Sequence, residues 1–316
     1  MAQTFETTGG PMPQPEHMTI DVLAAKRFMA THARTLDRRR LLNLLDEGEA
    51  GTLLATLDAY RNPDGGYGWG LEPDFRAPES QPAGALHAFE VFGEVGPAVS
   101  PRAVELCDWL DSVTLADGGL PFALPVADPA GCASFWAEAD ETVSSLHITA
   151  AVAAAGVRVA HHDPAVARHP WLRRATEYCL GTIAATDRAG HVLELKYALD
   201  LLDAVSGERP EAAAHVERLG AAIPVDGCVH VEGGLEEEML RPLDFAPFPD
   251  GPVRVLFSAE VIDAELERLA GLQEEDGGWR PDFAAASPAA ALEWRGYLTV
   301  HAVSILRRNG RWSDIT

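Results

Sequence analysis

Apolar residues recur at three- and four-residue spacing along almost the whole chain, the period of an amphipathic helix. The pattern predicts helices over 20–34, 38–47, 50–61, 81–95, 101–114, 141–157, 165–185, 191–206, 210–222, 258–273 and 288–309. Ser100-Pro101 and Ser287-Pro288 each place a cap residue before a first-turn proline. Asp140 stands where helix 141–157 should begin, and Gly96 and Gly310 where helices should end. Strand-like alternation is confined to "CVHVEGG", Cys228 to Gly234, which predicts one arm of a hairpin. Residues 224–257 are the least helical. They include "PLDFAPFPDGP" and predict a long ordered loop over one end of the domain. Residues 1–17 are polar and rich in glycine and proline, so a disordered tail is expected there, followed by a single domain over 18–316.

A second pattern overlies the first. "DGGYGWG" begins at Asp64, "DGGLPF" at Asp117 and "DGGW" at Asp276. Each follows one predicted helix and precedes another, so the chain reads as repeated helix pairs joined by glycine turns. Paired glycines permit positive φ, and the aromatic that follows can stack on the preceding helix end. Eleven predicted helices in such pairs fit an all-α fold, an (α/α)6 toroid of six inner and six outer helices.

"LAGLQEEDGGW", Leu269 to Trp279, resembles the QW repeat of the terpenoid cyclase and protein prenyltransferase superfamily, typified by squalene–hopene cyclase. Gln273, Gly277, Gly278 and Trp279 match that pattern; Leu57 to Trp69 and Leu110 to Phe122 match it without the glutamine. The resemblance implies the α/α barrel. It also implies a class II, protonation-initiated cyclase, because Glu138-Ala-Asp140-Glu141-Thr142-Val143 occupies the positions of that class's DxDDTA motif, with Glu for Asp twice and Val for Ala. On that reading Asp140 is the acid, Glu138 and Glu141 flank it, and the substrate is a small isoprenoid. No cofactor is then required, with Mg²⁺ implied only for a diphosphate substrate. From the prenyltransferases, Asp226 and Cys228 resemble part of a zinc site, with His230 or His301 as a third ligand.

Residue chemistry supports part of this and leaves alternatives open. Neighbouring carboxylates raise one another's pKa, which keeps a proton available. On a helix beginning at Asp140, Ser144 and His147 would share its face, and His147 would orient or reprotonate the acid. Asp140 is equally suited to be a helix cap. A second carboxylate pair, Glu72 and Asp74, also follows a glycine turn. In a toroid those turns gather at one mouth, so Glu72, Asp74, Glu138, Asp140 and Glu293 would form an acidic rim. Trp69, Trp136, Trp279 and Trp294 are the candidate substrate-binding aromatics.

Composition narrows the partners. The formal net charge of −23 excludes the electrostatic footprint of a nucleic-acid or anionic-membrane binder. The four cysteines form no CxxC pair, and a cytoplasmic, reducing location is expected. No apolar run suits membrane insertion, and no P-loop, GxGxxG, HExxH or GxSxG motif occurs. Three functions follow in order: a class II-like terpenoid cyclase, a non-catalytic toroid for an apolar ligand or protein partner, and an α/α-barrel glycosidase. The chain suffices for one toroid, so a homodimer partner or the 224–257 loop would close the site.

Overall fold

The computed structural model describes residues 20–186 and 190–311. The expected tail, 1–17, lies outside them. The described residues are mostly helical. The helices are α1 Val22–His32, α2 Thr35–Leu44, α3 Ala50–Leu57, α4 Pro82–Glu94, α5 Pro101–Val113, α6 Ser134–Ala137 and α7 Leu146–Ala160. They continue with α8 Pro164–Ala167, α9 Pro170–Ala185, α10 Val192–Val205, α11 Ala212–Gly220, α12 Pro242–Phe245, α13 Ala259–Gly271 and α14 Pro288–Arg308. The hairpin is short: β1, Val229–His230, pairs antiparallel with β2, Met239–Leu240. The rest of 224–257 holds only α12 and a 3-10 turn, Pro252–Leu256.

Local chemistry sets most of the helix ends. Ser100 accepts from the Arg102 amide and Ser287 from the Ala290 amide, each beside its first-turn proline. Gly310 closes α14 at φ 70°. Helix α4 ends at Glu94 with Val95 as its cap, directly before Gly96 as expected, although Gly96 itself is not left-handed. The run 165–185 is broken into α8 and α9, because Asp163 and His169 are extended cap residues ahead of Pro164 and Pro170.

The three Asp-Gly-Gly segments fold alike. The first glycine of each has φ between 95° and 97°. The aspartate Oδ1 accepts from the second glycine's amide at 2.9, 3.1 and 3.0 Å in chain order. The amides of Asn62, Leu115 and Glu274 donate to the carbonyls of Gly66, Gly119 and Gly278, each at 2.9 Å. The residue after the glycines is then pinned to the next long helix in two cases. The Leu120 amide donates to Thr149 Oγ1 at 2.8 Å, and the Trp279 amide to Thr299 Oγ1 at 3.2 Å. The repeat therefore records one turn geometry used three times.

Gln273 adds a clamp in the last turn. Its amide accepts from the Asp21 backbone N–H at 2.7 Å and donates to the Asp21 and Gly277 carbonyls at 2.8 and 3.1 Å. The last turn is thus fastened to the start of α1. A Cβ on Gly277 would overlap the Ala24 carbonyl, whereas one on Gly233, also at positive φ, would meet nothing. Gly233→Ala is expected to cost only the left-handed backbone penalty of about 1–2 kcal/mol. Gly277→Ala should cost that plus the clash, and chemical denaturation of the two variants measures the difference.

The core is one connected apolar cluster. Helix α7 is its axis: Leu146, Ile148 and the run from Thr149 to Gly156 are all buried. Trp171 of α9 stacks on Phe89 of α4 at 6.0 Å beside it.

Candidate functional site

Asp140 does not begin a helix. Helix α7 starts five residues past the expected 141, at Leu146, with Ser145 as its cap. The second glycine turn pulls the intervening segment away: Ser144 Oγ donates to Asp117 at 2.6 Å and the Ser145 amide to the Leu120 carbonyl at 2.8 Å. Asp140 lies in an exposed turn and accepts from both the amide and hydroxyl of Thr142, at 2.9 and 2.6 Å. Those bonds hold its carboxyl below the usual aspartate range. Glu138 and Glu141 are exposed beside it. The three carboxylates lack the buried setting that a stored proton requires. His147 is on α7 but not on a shared face with Asp140. Its ring stacks on Tyr197 at 4.9 Å and tilts against Phe122 at 5.3 Å. Burial, with the nearby Lys196 charge, pushes it down to about 3, so it is a neutral histidine.

The acidic rim is not an open mouth either. Asp74 is buried and accepts from the Ala286 amide at 2.7 Å and Trp294 Nε1 at 2.8 Å. Glu72 is buried and accepts from His87 Nε2 at 2.8 Å and from the Asp74 amide at 3.1 Å. Glu293 pairs with Arg76. Trp136 lies flat between Phe75 at 5.5 Å and Phe122 at 4.4 Å. Trp279 is buried in its turn and donates to the Leu269 carbonyl at 2.8 Å. Only Trp69 is exposed, and its Nε1 donates to Asn62. Apart from Trp69, these groups are bonded or packed within the fold. Asp226, Cys228, His230 and His301 do not converge. Asp226 caps the Cys228 amide, His230 bonds the Leu235 carbonyl, and His301 lies in the cavity described next.

That cavity has a volume of about 700 Å³. Its walls are formed by α4, α7, α10 and α14, with Arg40 of α2, Asp244 of α12 and the segment following α12. A volume of this order suits a small-molecule site. Phe89, Tyr197, Phe248 and Tyr297 supply aromatic surface, and Leu86, Val300 and Ile305 aliphatic surface.

Two sets of polar groups line or support the cavity. The first set is bonded within the protein. His87 is buried between carboxylates, with Nε2 on Glu72 at 2.8 Å and Nδ1 on Glu90 at 3.1 Å. Both partners only accept, so both ring nitrogens carry protons. Although burial opposes the charge, Glu90 and Glu72 raise His87 to about 9. Glu90 also accepts from Tyr297 Oη at 2.8 Å and lies 3.5 Å from Arg40, which binds Glu94 at 2.6 Å. Burial penalises the Glu90 charge, but His87 and Arg40 outweigh it and lower Glu90 to about 2. Across the cavity Arg158 forks onto Asp200 at 3.0 and 2.6 Å.

The second set is uncommitted. Lys196 lies 3.9 Å from the centre of the Tyr197 ring and has no carboxylate at salt-bridge distance among the described residues. His301 stacks on Tyr297 at 6.2 Å; burial, then Lys196, lowers it to about 4, so it is neutral. Asp244 lines the cavity and accepts from the Arg241 amide through Oδ2 at 2.7 Å. The carboxyl is deep in the molecule yet keeps accessible surface, because it faces the cavity and not packed side chains. Burial raises it to about 6, against the Arg241 amide and Lys196, with Asp282 and Glu265 adding to the rise.

Sequence reasoning missed Lys196 and Asp244, and named His301 only as a zinc ligand. A signal was present: Tyr297, His301, Ser304 and Arg308 recur at helical spacing along α14, and Lys196, Asp200 and Asp203 along α10. Polar stripes on helices that are otherwise buried mark a wetted interior wall. No described helix is long and apolar enough to cross a membrane. No protein-family model matches the chain, and no curated protein matches it.

Proposed function

We propose that this protein is an enzyme that transfers a proton to a small, partly polar substrate in the cavity, with Asp244 as the donor. In this reading the helix pairs close into an α/α toroid, with α4, α7, α10 and α14 among its inner helices and the cavity at one end of its axis. The observation that carries the reading is the unequal bonding of two carboxylates that line one chamber: Glu90 is held by His87, Tyr297 and Arg40, whereas Asp244 accepts from the Arg241 amide, and with that Glu90 is lowered to about 2 and Asp244 raised to about 6. Environments that push paired acids apart are how a site divides proton donor from fixed anion. Asp244 is then the acid, Glu90 a permanent anion held by His87 and Arg40, and neutral His301 a proton acceptor for the return step.

A protonation-initiated isoprenoid cyclase remains the second reading, with Asp244 in place of Asp140 as acid. The aromatic surfaces of Phe89, Tyr197, Phe248 and Tyr297 favour it, since aromatic faces attract cations. Lys196 and Arg158 weigh against it, because fixed cations repel a carbocation in a poorly screened site.

The test is a product screen over farnesyl and geranylgeranyl substrates, with and without Mg²⁺, alongside unsaturated acids and aryl glycosides. Wild type, Asp244→Asn and Asp140→Asn are compared by mass spectrometry. Asp244→Asn should lose about 10²–10⁴-fold in turnover, the usual worth of a general acid. Asp140→Asn should stay near wild type. Full activity in Asp244→Asn would refute the proposal.

A further inference from the structure

Among the described residues, Lys196 and Arg308 are the cavity-lining cations without a carboxylate at salt-bridge distance; Arg308 lies over the Phe248 ring at 5.1 Å, while Lys196 lies nearer Asp244. Arg40 binds Glu94 and approaches Glu90, and Arg158 is held bidentately by Asp200. Lys196 has only a ring face beneath it, with Asp200, Asp244 and Glu90 close enough to favour its charge but outside contact. An ammonium with unused donors on a cavity wall is placed to bind an anion. Around it the wall is divided, with Leu86, Phe89, Val300 and Ile305 apolar and Asp244 and His301 polar.

We infer that Lys196 is the anchor for the anionic end of the substrate, and that this end is a single carboxylate on an otherwise apolar body. The inference rests on the cavity being the functional site. The ammonium of Lys196 is a point charge that one carboxylate satisfies. Glu90, Glu94, Asp200, Asp203, Glu208 and Asp244 already line the cavity with carboxylates, so a dianionic phosphate would meet more repulsion than a carboxylate does. The charged state also separates this role from covalent catalysis. An amine nucleophile must lose its proton, whereas the neighbours of Lys196 hold the proton on. With the carboxylate on Lys196, the apolar body lies along Phe89, Val300 and Ile305, and Asp244 is left free to reach the reacting atom.

The test uses octanoate as the probe, with octyl phosphate, octylammonium and 1-octanol for comparison. Binding to the full chain is measured by calorimetry and by the shift in Tm. Wild type should bind octanoate more tightly than each of the other three. Lys196→Met, which keeps the aliphatic stem, should weaken octanoate at least ten-fold, in line with the loss of a charge-assisted hydrogen bond. Lys196→Arg should restore most of it. The unliganded Tm and far-ultraviolet spectrum of Lys196→Met show whether the variant is folded; if it is not, Lys196→Gln and the order of the four probes on wild type decide. Unchanged octanoate binding in a folded Lys196→Met or Lys196→Gln variant would overturn the inference. So would tighter binding of octyl phosphate, octylammonium or octanol than of octanoate, or no octanoate binding by wild type at millimolar concentration. The donor role of Asp244 is tested separately by turnover, so either claim can fail without the other.

Discussion

Replacing His87 with alanine is expected to lower stability by about 3–5 kcal/mol at pH 7, the usual cost of removing one partner from a buried charged network. The imidazolium lies between two carboxylates, with Glu72 at 2.8 Å and Glu90 at 3.1 Å. Without it Glu72 keeps only the Asp74 amide, while Glu90 retains Tyr297 and Arg40. The pH dependence has a definite sign. His87 is raised from 6.5 to about 9 in the folded protein, so its stabilisation is fully present below pH 6.5 and is lost as pH rises through about 9. Denaturant titrations of wild type should show this decline between pH 7 and 10. His87→Gln should hold the hydrogen bonds better than alanine and show no such decline. A wild-type curve that is flat over that window, or a His87→Ala variant as stable as wild type, would contradict this network.

Asp244→Asn should do the opposite and stabilise the protein. The folded carboxyl lies at about 6 against an ordinary 3.8. Raising an acid's pKa by one costs its ionised form about 1.4 kcal/mol, so ionising Asp244 in place costs on the order of 2–3 kcal/mol, moderated by cavity water. Because the displacement is upward for an acid, the wild type loses stability as pH rises from about 4 through about 6. Asparagine carries no such charge and can still accept from the Arg241 amide. The variant should match wild type near pH 4 and exceed it by most of that amount at pH 8. A gain in stability with a loss of turnover is the expected behaviour of a group kept for chemistry at the expense of the fold.

The helices were legible because helical periodicity and proline-marked caps are local signals. The glycine turns were legible because an Asp-Gly-Gly turn is held largely by its own four or five residues. The start of α7 was not, since what displaces Asp140 from a cap position is a long-range set of bonds: Asp117 to Ser144, and Leu120 to Ser145 and Thr149. The cavity was not legible for a related reason. Carboxylates next to recognisable turns drew attention to the turn end of the helices, where Glu72 and Asp74 are bonded into the structure. Lys196, His301 and Asp244 line the cavity from α10, α14 and the short α12. Asp244 carries no local mark of its role. Its position among "PLDFAPFPDGP" reads as loop, and only the packing of that loop against the cavity gives the carboxyl its environment.

A carbon-13 NMR titration of the aspartate side-chain carboxyls, with Asp244 and Asp140 assigned by their asparagine variants, reads the proposed donor itself. The resonance removed by Asp244→Asn should titrate near pH 6, and the one removed by Asp140→Asn below 3.8. An Asp244 resonance already ionised at pH 4 would leave the cavity without a proton to give, and would contradict the assignment of Asp244 as the donor.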